Sequence, residues 1–227
     1  VKISKDTLKI LKNYKNINLS YISKSGNIIR TLSDAKNIYA VANVDEEFPD
    51  FAIYDLKKFL GIVDLFEEPD FTFHDKYLTV STGRQKTKYF FSDPTVLTVK
   101  LPDKEINISD VLVEFMLTVD DISIINSVAD KLSLPDLTVQ IINDVVVAVV
   151  CDKSTSASNN HIITLDSANL FPDVIGDIDI SLNFKIENLK LLSGDYWVEL
   201  SKKKISKFTN QHLDLTYYIA MEATSVT

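Results

Sequence analysis

The sequence predicts an α+β protein of two similar domains, each a set of antiparallel sheets with helices on one face. Three observations carry this. Runs of alternating apolar residues, at Ile178 to Ile186 and Leu213 to Met221, read as half-buried antiparallel strands. Two longer stretches, Lys2 to Tyr14 and Thr118 to Leu134, have helical periodicity instead. The halves also share an element order: SKDTLKILKNYK aligns with TVDDISIINSVADK, and AIYDLKKFLG with FKIENLKLLSG. A period of roughly 110 to 130 residues is too long for a solenoid and fits two copies of one domain.

In the opening helix, Lys2, Lys5, Lys9 and Lys12 fall on one stripe at about 100° per residue, with Ile3, Leu11 and Tyr14 opposite. Ser4 and Asp6 suit its first turn. Leu19 to Ile22 and Ile28 to Leu32 then flank Ser25-Gly26-Asn27, which predicts a hairpin, and Asn37 to Val44 predicts a strand. Phe51 to Phe66 begins as a strand and becomes a short helix from Asp55, with Lys57 and Lys58 on its polar side. A hairpin about His74-Asp75-Lys76, a turn at Gly83-Arg84-Gln85 and a strand at Lys88 to Phe91 close the first half. Ser92 to Asp110, with two prolines and no period, reads as the crossing between domains. The division is therefore residues 1–95, a connector at 96–110, and residues 111–227.

The second helix sets Ile122, Ile125, Val128, Ala129 and Leu132 on its core side. Leu137 to Ile142 and Val145 to Cys151 form a hairpin about Asn143-Asp144, followed by a polar loop at Ser154 to Asn160 and a strand at His161 to Leu165. Ile178, Ile180, Leu182, Phe184 and Ile186 share one strand face. A short helix is expected at Glu187 to Leu192, closed by Ser193-Gly194-Asp195, and further strands at Tyr196 to Leu200 and Leu213 to Met221. The basic run Lys202 to Lys207 reads as an exposed hairpin tip.

Charge narrows the function. The 227 residues carry a net charge of -8, with 16 basic and 16 acidic residues in 1–110 but 8 basic and 16 acidic in 111–227. High-affinity nucleic-acid binders are usually basic throughout, so any such contact here is local. The positive positions collected on the helical layers are Lys2, Lys5, Lys9, Lys12, Lys57 and Lys58, then more sparsely Lys131, Lys185 and Lys190. Catalysis finds no support. His74, His161 and His212 have no metal-ligand spacing, and the lone Cys151 ends an apolar strand. Asp45-Glu46-Glu47 and Glu67-Glu68 lack calcium-loop spacing, and no phosphate-binding glycine loop occurs. The expectation is a non-enzymatic protein with no metal and no cofactor. No apolar run approaches the ~18 residues of a membrane span, so a soluble, intracellular protein without membrane contact is expected.

The segments SKDTLKILKNYKNIN with SGNII, AIYDLKKFLGI, and FKIENLKLLSGDYWVEL running to YYIAMEATS resemble the sliding clamps of T-even-type bacteriophages, the processivity factors of DNA polymerase. The resemblance implies a DNA-clamp fold assembled as a homotrimeric ring, its helices around double-stranded DNA and the nine lysines above facing the duplex. It also implies a DNA polymerase, a separate ATP-dependent clamp loader and phage transcription factors as partners, in the cytoplasm of an infected bacterium. Clamps of this kind take partner tails in an apolar pocket, whose wall is assigned to Tyr89, Phe90, Phe91 and Pro94. A different reading of the same lysine stripe is a viral structural or assembly protein that binds an acidic partner.

Overall fold

The computed structural model describes residues 1–97, 101–102, 106–142, 145–155, 159–165, 168–170 and 180–225. The chain divides into two compact units, Val1–Asp103 with Leu213–Leu215, and Lys104–His212 with Thr216–Thr227.

The first unit opens with helix α1 (Lys5–Ile17). Ser4 has extended backbone and its hydroxyl accepts from the Thr7 amide, so the helix starts after it. Lys2 therefore lies outside the helix, in a bridge with Asp70. Ile10, Leu11, Tyr14 and Ile17 face inward, with Tyr14 fully buried. Strands β1 (Tyr21–Ser23), β2 (Gly26–Leu32), β3 (Ile38–Phe48) and β4 (Phe51–Ile53) follow, then α2 (Leu56–Val63) capped by Asp55. A three-stranded meander of β5 (Asp70–Phe73), β6 (Tyr77–Thr82) and β7 (Gln85–Phe90) completes it, with a 3-10 turn at Pro94–Val96.

The expected hairpin about Ser25-Gly26-Asn27 does not form. β1 pairs with β4, Tyr21 opposite Ile53, while β2 pairs with β3. Gly26, at φ +124°, and a bulge before Ile28 redirect the chain from one sheet to the next. The real hairpin lies one turn later, where the Ser33 hydroxyl accepts from the Asn37 and Ile38 amides. The meander about His74 to Lys76 and Gly83 forms as the sequence predicts. Its inner face packs Phe71 and Tyr89 on Phe59, and Phe73 on Phe48 and Phe51. Burying such a ring contributes about 1.5–3 kcal/mol.

The second unit begins with a strand that the sequence reading passed over, β8 (Val111–Leu117), ahead of α3 (Val119–Leu132). Thr118 and Asp121 form a reciprocal capping box at the start of α3, and Ser133 ends it in the left-handed conformation. Of the five expected core positions, only Ile125 and Ala129 are fully buried; Leu132 is exposed. β9 (Asp136–Ile142), β10 (Val145–Cys151) and β11 (His161–Thr164) follow, then β12 (Asn169–Leu170) and β13 (Ser181–Lys185). β14 (Tyr196–Ser201), β15 (Ile205–Asn210) and β16 (Leu215–Ala220) complete the chain. One sheet has the order β11-β10-β9-β13; β12, β8, β14, β15 and β16 are neighbours in another. The turn Asn143-Asp144, part of the loop Ser154 to Asn160, part of the connector and Ile178 lie outside the described residues.

Two expectations fail here. Glu187 to Leu192 is no helix; only Ile186–Asn188 makes a 3-10 turn, so α3 is the one α-helix among the described residues of this unit. The backbone of Leu192 is satisfied instead by two buried tyrosines: its amide donates to Tyr217 and its carbonyl accepts from Tyr196. Burial raises both phenols, Tyr196 to about 12. The strand β13 is also not half polar, because Asn183 is as buried as Leu182 and Phe184. It accepts from Thr138 and donates to the Ser181 and Thr224 carbonyls. The basic run does turn at Lys202 to Lys204, but Ile205 onward is the unforeseen strand β15.

The rotation of α1 is held by Glu46 on β3. Its buried carboxylate accepts from the Ser4 amide and, at 2.6 Å, from the Thr7 hydroxyl. Burial raises its pKa, and the bonds from Thr7 and Ser4 more than offset that, leaving it below the ordinary value of 4.5. Glu46→Ala is expected to cost about 1–3 kcal/mol in urea denaturation at pH 7. Because the folded pKa is depressed, the stabilisation is complete above pH 4.5 and lost as pH falls through the folded value. The gap between wild type and variant should therefore close in acid.

Candidate nucleic-acid interface

The exposed side of the first unit's helices is basic. Lys5 and Lys9 project from α1, and Lys57 and Lys58 from α2, all exposed, with Lys12 partly exposed between the helices. They project because Ile10, Leu11 and Tyr14 on α1, and Leu56, Phe59, Leu60 and Val63 on α2, occupy the inward faces. Three of these amines rest on carboxylates: Lys9 on Asp6 at 2.9 Å, Lys58 on Asp55 at 3.6 Å and Lys12 on Asp64 at 2.5 Å. The last pair ties α1 to the end of α2.

Four other expected members of this face are placed differently. Lys2 borders a cleft of about 650 Å³ with Glu67, Glu68 and Asp70, in acidic surroundings that the helical wheel did not foresee. Lys131 is exposed on α3, but so are Asp120 and Asp130 of the same helix. Lys185 is held by Asp136 at 2.5 Å, a carboxylate 5% exposed that also accepts from the Lys153 amide. Its hydrogen bond to Asp136 raises its pKa, and the lysine is occupied structurally. Lys190 is half-buried in the loop after Asn188 and engaged in an interaction of its own.

The aromatic wall is divided by strand alternation. Tyr89 packs on Phe59 and Phe91 stacks on Phe51, both toward the core, whereas Phe90 points the other way, 67% exposed, against Tyr77. Tyr89, Phe90 and Phe91 therefore do not form one wall with Pro94, which opens the following 3-10 turn. The sequence reading missed another feature: Leu101 of the connector lines a small cavity with Ser20, Ile22, Arg30, Thr31 and Leu32. Arg30 Nε is buried there without a hydrogen-bond partner among the described residues. No signal short of the tertiary contact marks it.

The histidines stay apart: His74 stacks on Tyr77, His161 opens β11, and His212 lies 3.4 Å from Asp195. No group of three metal-ligating side chains occurs among the described residues, and no helix among them is long and apolar enough to cross a membrane.

This architecture is that of the DNA-clamp fold. The PCNA of A. fulgidus, solved with the C-terminal region of FEN-1 bound, superimposes over 96% of each chain with a TM-score of 0.69 at 14% identity. No protein-family model matches the chain. The sliding clamp of Vibrio phage KVP40 is 28% identical over 231 residues, covering 98% of this chain and 100% of its own. That of Enterobacteria phage T4 is 26% identical over 232 residues, covering 99% and 98%. Over nearly its whole length the chain is thus similar to the sliding clamps of phages KVP40, T4 and RB69.

Lys185→Ala should lower stability by about 1.5–3 kcal/mol in urea denaturation, since it strands a buried carboxylate. Lys131→Ala should stay within about 0.5 kcal/mol of wild type.

Proposed function

We propose that the chain forms a homotrimeric ring of two-domain subunits, residues 1–95 and 111–227 joined by 96–110, which encircles double-stranded DNA and tethers the replicative polymerase. A separate ATP-dependent loader opens it, and phage transcription factors use it as a platform in the infected host's cytoplasm. The observation that carries this reading is the exposed lysine face of α1 and α2 in a chain of net charge -8. Lysines attract phosphates without reading bases, and the surrounding acid discourages binding elsewhere.

Ring closure needs a head-to-tail contact between unlike surfaces. Of the two edges of the first unit's meander, that of β5 is taken by Lys2 and the Val1 carbonyl and that of β7 is open. Of the two edges of the second unit's four-stranded sheet, that of β13 is engaged by Glu222 and Ser225 and that of β11 is open. Each open edge carries an exposed apolar side chain, Phe90 and Ile162. Pairing of β7 with the β11 of the next copy covers both and removes two exposed edges. The partner tail is assigned to the connector face at Ile22, Leu32 and Leu101.

The native mass should be that of three subunits, and Ile162→Lys should reduce it to one with the circular dichroism spectrum unchanged. Retention on circular primed DNA should survive high salt and be lost on linearisation, which separates threading from surface binding. A single-subunit native mass across the micromolar range would refute the ring. Lys5→Glu or Lys9→Glu should shorten polymerase runs on primed template without altering the trimer.

A further inference from the structure

The lysine face is mostly neutralised by the chain itself. Asp6, Asp55 and Asp64 each sit within ion-pair distance of one lysine of that face. Helix stability explains the first two only in part. Asp6 in the first turn of α1 complements the helix dipole, and Asp55 caps α2 through the Lys58 amide. Asp64 has no such reason. It stands at the C-terminal cap of α2, where the dipole disfavours an acid, and its carboxylate reaches Lys12 of the neighbouring helix.

We propose that Asp6, Asp55 and Asp64 are resident counter-ions that compete with DNA phosphate for Lys9, Lys58 and Lys12, keeping the hold on the duplex weak enough to slide. This rests on the reading of the lysine face as the DNA-facing surface. Exposure is what makes the pairs exchangeable: the side chains of Lys9 and Asp6 are 62% and 56% exposed, those of Lys12 and Asp64 41% and 51%, and Lys58 is 81% exposed over the less exposed Asp55; such pairs contribute little and reform in water. Lys185 with the buried Asp136 is the contrast, a fixed pair that cannot open without stranding a charge. A lysine that leaves a carboxylate for a phosphate frees a cation from the DNA but leaves a carboxylate that draws one back, so this face has a shallower salt dependence than its lysine count implies.

The test is the anisotropy of a fluorescein-labelled linear duplex titrated with the intact protein at several salt concentrations. Asp6→Asn, Asp64→Asn and Asp55→Asn, the last keeping a competent helix cap, should each tighten binding and steepen the slope of log affinity against log salt by up to about 0.9 per freed lysine. Adding Lys9→Gln to Asp6→Asn should restore the wild-type slope, which a purely structural role for Asp6 would not produce. Asp75→Asn, in the β5–β6 turn of the same unit and not on its helices, makes the same change in net charge and should leave the slope unchanged. Slopes that stay at wild type in all three variants, or that steepen equally with Asp75→Asn, overturn the proposal. Failure of wild type to be retained on circular DNA would refute the ring and leave the slopes to judge the counter-ions.

Discussion

The carboxylate of Glu46 at the start of α1 is the contact on which the basic face depends. A helix N-terminus offers amides with no partner inside the helix, and a buried acid that accepts from the Ser4 amide and the Thr7 hydroxyl fixes the helix in translation and rotation together. Ser4 and Thr7 meet Glu46, and Leu11 and Tyr14 are thereby turned into the core. Only one rotation then remains for Lys5 and Lys9, outward.

The same residue types serve opposite ends in the two units. Lys185 and Asp136 are an ion pair with one partner buried and further tied to the Lys153 amide, which gives structure. Lys9 and Asp6 are an ion pair in water, which gives only a local balance of charge. Burial decides between these outcomes, because desolvation makes a broken pair costly while solvent replaces an exposed one at little expense. The second unit's helix, with Asp120, Asp121 and Asp130 against Lys131, adds no net positive charge of its own.

Turn chemistry separates the elements read correctly from those that were not. Asp55 before LKKFLGIV and Thr118 with Asp121 before an apolar period are helix starts that need no tertiary information, and both form. Ser25-Gly26-Asn27 has the composition of a hairpin turn, yet its flanking strands find partners in β4 and β3. Glu187 to Leu192 has the composition of a helix, yet Tyr196 and Tyr217 take its backbone groups. In each case a partner outside the segment outcompetes the segment's own preference.

By itself the sequence determined the α+β class, the two principal helix starts, the meander and the segregation of acid into the second half, because these follow from periodicity, caps and composition within a few residues. The tertiary structure alone decided which lysines stand in the open. Lys5, Lys9, Lys57 and Lys58 are all exposed, but Lys9 and Lys58 stand within ion-pair distance of Asp6 and Asp55, and Lys185 rests on a buried acid. The reason is physical: a side chain's freedom is set by the groups that the fold brings within about 4 Å of it, and for a lysine those are carboxylates anywhere in the chain.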